Sequence, residues 1–227
     1  MKISALTVCV NYADLLSRSL DRWKAGTEDL LVVTHPDDAA TIALCTEHDV
    51  GFHATRVFHE RGATFNKAGA INEALAHAYG PCSLGSADSW FLLFDADIIP
   101  PADWRRRLES FAQPLAPGNL YGAVRVTESG RRFGDTELAG FFQLFHCQDW
   151  HIGDDRRHPI LDEFSNCSAY DSLFMRRWPR ERRIILPMLV THLGEAGVNW
   201  CGRGNDKGMQ ELRQQRIEHG GFMHERL

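Results

Sequence analysis

The sequence predicts an α/β fold, a single Rossmann-like domain in which a mainly parallel mixed sheet is flanked by helices. Short apolar runs alternate with segments of helical periodicity through the first half, in the order β-α-β-α-β-α-β-α, which favours parallel strands with helices on both faces. The run Trp90-Phe91-Leu92-Leu93-Phe94 is apolar throughout, as in a strand covered on both sides. A length of 227 residues suits one substantial domain and is short for two.

The elements are expected in this order. Residues 6–10 form a first strand, rich in β-branched residues. Asp14 caps a helix with Leu16, Leu20 and Trp23 on one face. A second strand spans 30–33, and Pro36-Asp37-Asp38 opens a helix with Ala39, Ile42 and Cys45 inward. Residues 51–58 suit a third strand. A turn at 61–64 leads into a helix whose face carries Phe65, Ala68, Ile71 or Asn72, Leu75 and Tyr79. Residues 80–88 read as a loop before the buried strand at 90–94. Pro100-Pro101 starts a helix with Trp104, Leu108 and Phe111 in phase. In the less regular second half, strands are expected over 119–127 and 140–147. A loop follows over 151–158, a short helix over 171–178, an extended apolar segment over 184–192 and a polar helix over 206–219. The whole reads as one domain, 1–227, with a ligand-binding half (1–112) and a second half (113–227) that shapes the site.

Net charge is −5 and 24% of residues are charged. That balance is ordinary for a soluble protein and unlike the basic surplus of most nucleic-acid binders. The six cysteines include no CxxC pair, which argues against a zinc knuckle or a thioredoxin-like site. Cys9 and Cys45 sit among apolar neighbours as small core residues, and the pattern suits a reducing, cytoplasmic setting. The first ten residues read as a strand rather than a signal peptide. No apolar stretch approaches a membrane span.

Asp95-Ala96-Asp97 ends the buried strand. In an open α/β sheet, ligands lie beyond the carboxyl ends of the strands, where Asn11-Tyr12 and Thr34-His35 also fall. Two close carboxylates repel unless a positive charge stands between them. A hard divalent cation, Mg²⁺ or Mn²⁺, supplies that charge and commonly grips phosphate as well. The structural alternative makes Asp97 a helix cap and Asp95 a solvated loop acid.

Phe91-Leu92-Leu93-Phe94-Asp95-Ala96-Asp97 resembles the DxD strand of the A-type glycosyltransferase fold, especially its family-two-like group. Asn66-Lys67-Ala68-Gly69-Ala70-Ile71-Asn72 resembles the group's N-K-x-x-A-x-N helix. Val8-Cys9-Val10-Asn11-Tyr12 resembles its first strand, and Thr34-His35-Pro36-Asp37-Asp38 occupies the place of its second-strand acidic turn. These features cover roughly residues 5–112. Thr191-His192-Leu193-Gly194, with Asn199-Trp200-Cys201-Gly202-Arg203 after it, is similar to a late H-x-G segment whose histidine completes a metal site. Ser168-Ala169-Tyr170-Asp171 resembles the segment that carries the catalytic base of inverting members, except that Tyr170 stands where many relatives have an acid.

The resemblance implies a hexosyltransferase that uses a nucleotide-sugar donor, with UDP the usual nucleotide. Asp95, Asp97 and His192 would hold the metal, and the histidine favours Mn²⁺ over Mg²⁺. Asn11 and Asp37 would hydrogen-bond the nucleobase and Tyr12 would stack on it. Lys67, Asp95 and Arg203 would meet the diphosphate or ribose. Asp171 would be the base, with Asp162 and Glu163 as rivals. Single displacement gives inversion, and retention stays open. The acceptor is a saccharide or other hydroxyl compound. The arginines between 125 and 183 also admit a phosphorylated acceptor or a hydroxylated nucleic-acid base. Three alternatives remain: a sugar-phosphate nucleotidyltransferase, which lacks its Gly-rich basic loop here; a non-catalytic glycan- or nucleotide-binding domain of the same fold; and a two-acid metal hydrolase, whose histidine clusters are missing.

Overall fold

The computed structural model describes residues 1–79, 89–111, 114–132, 138, 140–152, 160 and 170–194. The helix expected over 206–219 lies outside these, as do Asp162, Glu163 and Arg203. The described strands are β1 (Lys2–Val8), β2 (Asp29–Thr34), β3 (Gly51–Ala54), β4 (Ser89–Asp95), β5 (Ile98–Ile99), β6 (Leu120–Thr127), β7 (Phe142–His146) and β8 (Arg183–His192). The described helices are α1 (Ala13–Leu16), α2 (Leu20–Gly26), α3 (Ala39–Glu47), α4 (Lys67–Tyr79), α5 (Trp104–Glu109) and α6 (Tyr170–Arg176).

The strands form one sheet in the order β3-β2-β1-β4-β7-β6-β8-β5. β1 pairs in parallel with β2 and with β4, and β2 with β3. β7 is antiparallel to both β4 and β6, so β6 runs the same way as β4; β8 follows β6 in parallel. Among the described strands, only β7 and the short β5 run against the rest. The expected mainly parallel mixed sheet is therefore the observed one, and the carboxyl ends of β1, β2, β4, β6 and β8 share one edge.

Side-chain alternation separates the two faces. Leu6 and Val8 of β1, with Phe91 and Leu93 of β4, pack against Ala68, Ile71 and Leu75 of α4 and Phe174 of α6. Ile3 and Ala5, with Trp90, Leu92 and Phe94, pack against Trp23 of α2 and Trp104 and Leu108 of α5. β4 is buried on both sides along its apolar length, which is why its sequence shows no polar alternation.

Several expectations are corrected. Asp14 does not cap; α1 starts from Tyr12, and Asp14 lies in the first turn. The single helix expected there breaks between α1 and α2. At the break, Ser17 Oγ donates to the Asp14 carbonyl and Ser19 Oγ to the Leu16 carbonyl, local bonds that compete with helical ones. In α3 the inward residues are Thr41 and Cys45, while Ala39 is exposed. The third strand stops at Ala54, and a 3-10 turn over Val57–Gly62 follows, opened by Thr55 Oγ1 accepting from the Val57 N–H. α5 begins at Trp104, beyond the two prolines. β5 has no counterpart in the expected order. Cys9 and Cys45 are buried as anticipated, and burial pushes their thiols up to about 12 and about 11.

Candidate active site

The turn after β1 and the turn after β2 are tied together by Asp38. Asn11 adopts a left-handed backbone with φ of 63°, a conformation asparagine tolerates better than most residues. Its N–H donates to Asp38 Oδ2 at 2.6 Å. The same carboxylate accepts from Thr34 Oγ1 at 3.2 Å, Thr41 Oγ1 at 2.6 Å and the Thr41 N–H at 3.1 Å, which caps α3. Asp38 is thus a buried fastener, and its signal in the sequence was an Asp three residues before a Thr at a helix start. Asp37 points outward and pairs with Arg56 at 3.3 Å. Tyr12 is only 7% exposed, packed among Cys9, Leu16, Val32, Cys45 and Leu193, so Asn11 is the exposed member of its turn.

The turn after β4 is held from beneath by Trp23. Its ring stacks on Phe94 with centroids 4.1 Å apart, and its Nε1–H donates to the Ile98 carbonyl at 3.1 Å. These two contacts bracket Asp95-Ala96-Asp97. The Asp95 N–H also donates to the Phe141 carbonyl at 3.4 Å.

The two aspartates face different partners. Lys67, at the start of α4, donates to Asp95 Oδ1 at 2.5 Å and also reaches Tyr170, whose ring centroid lies 5.4 Å from Nζ. Burial alone would push the ammonium down. The Asp95 carboxylate and the Tyr170 oxygen outweigh it and hold Lys67 well above the usual lysine range. Burial raises the Tyr170 phenol, so it stays protonated. Asp97 Oδ2 instead lies 3.4 Å from His192 Nε2, both side chains being buried. His192 pairs with Ile98 across β8 and β5, and the Leu193 N–H donates to the Asp97 carbonyl at 2.8 Å.

Asp171 stands in the first turn of α6, next to Tyr170. Its Oδ2 accepts from the Gly140 N–H at 2.9 Å and its Oδ1 from the Ser172 N–H at 2.8 Å. Arg125, a half-buried residue of β6, lies over the Phe141 ring at 4.9 Å, behind the Asp95 turn. No local motif marks the contacts of Trp23, Arg125 and Tyr170, which join residues distant in the chain.

The fold brings Lys67, Asp95, Asp97 and His192 to one edge, with Tyr170 and Asp171 alongside. Among the described residues, no group of three His, Cys, Asp or Glu side chains stands ready to hold a metal ion. The Asp97–His192 pair would offer one carboxylate oxygen and one imidazole nitrogen, donor types that Mn²⁺ accepts.

The family model described as glycosyl transferase family 2 matches residues 4–177. The chain belongs to glycosyl transferase family 2. It is a glycosyltransferase of the A-type fold. Glucosyl-3-phosphoglycerate synthase from Mycobacterium tuberculosis, in complex with phosphoglyceric acid, superposes with a TM-score of 0.53 at 12% identity, over 86% of this chain and 72% of that one. The same synthase in complex with Mn²⁺, UDP and glucosyl-3-phosphoglycerate gives 0.52 at 13% identity, with the same coverage. Mannosyl-3-phosphoglycerate synthase from Rubrobacter xylanophilus gives 0.51 at 14% identity, over 100% of this chain and 77% of that one. At these identities the structures speak for the fold. No curated protein matches the glycosyltransferase. No helix among its described residues is long and apolar enough to cross a membrane.

Proposed function

We propose that the enzyme transfers a hexose from a UDP-sugar to a hydroxyl of a small acceptor, with Mn²⁺ bound at Asp97 and His192. The observation that carries this reading is the convergence of Asp97 and His192 at 3.4 Å beside the Lys67–Asp95 pair, at the carboxyl edge of the sheet. The similar structures with Mn²⁺, UDP and phosphoglyceric acid add support for the donor and for a small acceptor. A nucleic-acid acceptor has no such support.

In this reading Asn11 and Asp37 meet the nucleobase edge, and Tyr12 backs the turn from the core. Asp95 orients Lys67 and faces the ribose and metal. Lys67, kept cationic by Asp95 and Tyr170, places a fixed positive charge toward the diphosphate. When bound, the metal supplies Lewis-acid stabilisation of the charge that grows on the leaving phosphate. Arg203 is assigned to the diphosphate by sequence alone. Asp171 takes the proton from the acceptor hydroxyl, and displacement in a single step then gives inversion. The Gly140 N–H aims this carboxylate.

The test follows UDP release from UDP-hexose with and without Mn²⁺. Asp97→Ala and His192→Ala are expected to lower turnover at least ~100-fold, as loss of one transition-state charge stabiliser does. Asp171→Asn should remove turnover while sparing UDP affinity. Undiminished turnover in Asp97→Ala would refute the metal reading.

A further inference from the structure

The Asp95 turn and the Asp171 carboxylate come from parts of the chain far apart in sequence, and one dipeptide touches both. The Phe141 carbonyl accepts from the Asp95 N–H at 3.4 Å. The Gly140 N–H donates to Asp171 Oδ2 at 2.9 Å. A single stretch of backbone, Gly140-Phe141, therefore bridges the two.

The bridge is itself held. The Arg125 guanidinium lies over the Phe141 ring at 4.9 Å. Just upstream, Leu138 packs so closely on β6 that Gly122 has no room for a Cβ. Gln143 of β7 is 1% exposed, and its Nε2 donates to the Leu138 carbonyl at 3.3 Å and to the Asp171 carbonyl at 3.2 Å. Its amide thus ties the upstream end of the bridge to the first turn of α6. Both atoms it meets are carbonyl oxygens, which fixes the nitrogen end of the amide toward them. Its Oε1 has no partner among the described residues. A buried amide oxygen left unpaired is costly, and a side chain needed only to fill this space would be apolar. What the amide supplies is its two donated bonds.

Gly140 is the tightest point. A Cβ there would stand 2.8 Å from Asp171 Cβ and 2.9 Å from Asp171 Oδ2. The clash begins at the root of a short side chain, so any residue larger than glycine moves the whole carboxylate.

We infer that Gly140 and Gln143 are positioning residues of the reaction. The Gly140-Phe141 backbone sets the separation between the Asp95 turn and the Asp171 carboxylate, and the Gln143 amide holds that bridge against α6. This rests on the reading of Asp171 as the base and of the Asp95 turn as the donor's side. A base works only within hydrogen-bond reach of the hydroxyl it deprotonates. A shift between the two groups therefore costs rate and spares donor binding.

The experiment compares kcat, followed as UDP release from UDP-hexose with Mn²⁺, with UDP affinity measured by calorimetry on the full chain. Gly140→Ala is expected to lower kcat about 100-fold, the cost of a misplacement of about 1 Å, and to keep UDP affinity. Gln143→Met keeps the volume, removes both donated bonds and should show a smaller loss of the same kind. In an Asp171→Asn background, Gly140→Ala should slow the residual release no further. Wild-type kcat in folded Gly140→Ala overturns the proposal, as does a matching loss of kcat and UDP affinity, which a purely structural role would give. Should Gly140→Ala fail to fold, Gln143→Met decides by the same two readings. Wild-type turnover in Asp171→Asn would instead remove the base reading itself, whatever the Gly140 variant does. The two failures are therefore distinct.

Discussion

Lys67 carries two jobs on one ammonium. It neutralises Asp95 and it donates to Tyr170, from a position only 15% exposed. Removing one partner of a fully buried ion pair costs several kcal/mol because the other charge is stranded. Asp95 is 32% exposed, so water recovers part of that loss. Lys67→Met is expected to destabilise the fold by about 2 kcal/mol, measured by urea denaturation. The pH dependence has a definite sign. A lysine raised by its folded surroundings contributes its full stabilisation below its unfolded value of about 10.4 and loses it as pH climbs through the folded value. The gap between wild type and Lys67→Met should therefore be flat across neutral pH and shrink only in strong alkali. A gap that instead closes below pH 8 would contradict the raised ammonium. The chemistry of this residue was legible in the sequence as part of an N-K-x-x-A-x-N helix, but its second partner was not. Tyr170 is distant in the chain, and its role emerges only when α6 is laid against α4.

α2 and α5 touch so closely that one position admits only glycine. A Cβ on Gly26 would stand 2.3 Å from the Trp104 ring, which is 1% exposed and anchored by its Nε1–H to the Arg22 carbonyl at 2.8 Å. Neither ring nor backbone can yield cheaply. Gly26→Ala should cost about 1–3 kcal/mol, visible as a lower urea midpoint, and a neutral outcome would show that the helices can separate. The same pair of helices shows which elements a sequence discloses. β4 and α4 were readable because burial leaves its mark locally: an unbroken apolar run for one, a 3.6-residue apolar period for the other. α1 and α2 look like one helix in the sequence because leucine and tryptophan keep phase across Ser17–Ser19, while the serine hydroxyls that break the helix leave no periodic trace. β5 was invisible for a different reason. Its two residues are a strand only because β8 lies beside them, and nothing in Ile98-Ile99 itself demands that partner. The site followed the same rule. Asp95, Asp97 and Lys67 were found from local motifs and a family resemblance. The different partners of the two aspartates, and the fastening by Asp38, depended on contacts between distant turns.

Across the whole molecule, donor binding should read out as stability. A ligand confined to the native state at a hundredfold excess over its Kd adds about 2.7 kcal/mol. For a domain of this size, that is a rise in melting temperature of roughly 5–10 °C. UDP-hexose with Mn²⁺ is expected to produce such a rise, and Mn²⁺ without nucleotide a smaller one. An equal rise with GDP- or ADP-sugars would point away from UDP selection.

The pairing of β5 with β8 also sets a clock. Asn11, Lys67, Asp95 and Asp97 all precede His192 by a long stretch of chain, and β8 is among the last strands to be made. On a ribosome adding about 5–20 residues per second, the histidine follows Asp97 by on the order of 10 s. During that interval the nascent chain can gather β1 to β4 and bury most of its first core, yet it has no imidazole to offer beside Asp97. Two-residue β5 has nothing to pair with until β8 arrives. The last described strand to be made is therefore the one that carries His192 to the side of Asp97, and, on the reading of that histidine as a metal ligand, a chain released before it would lack the imidazole.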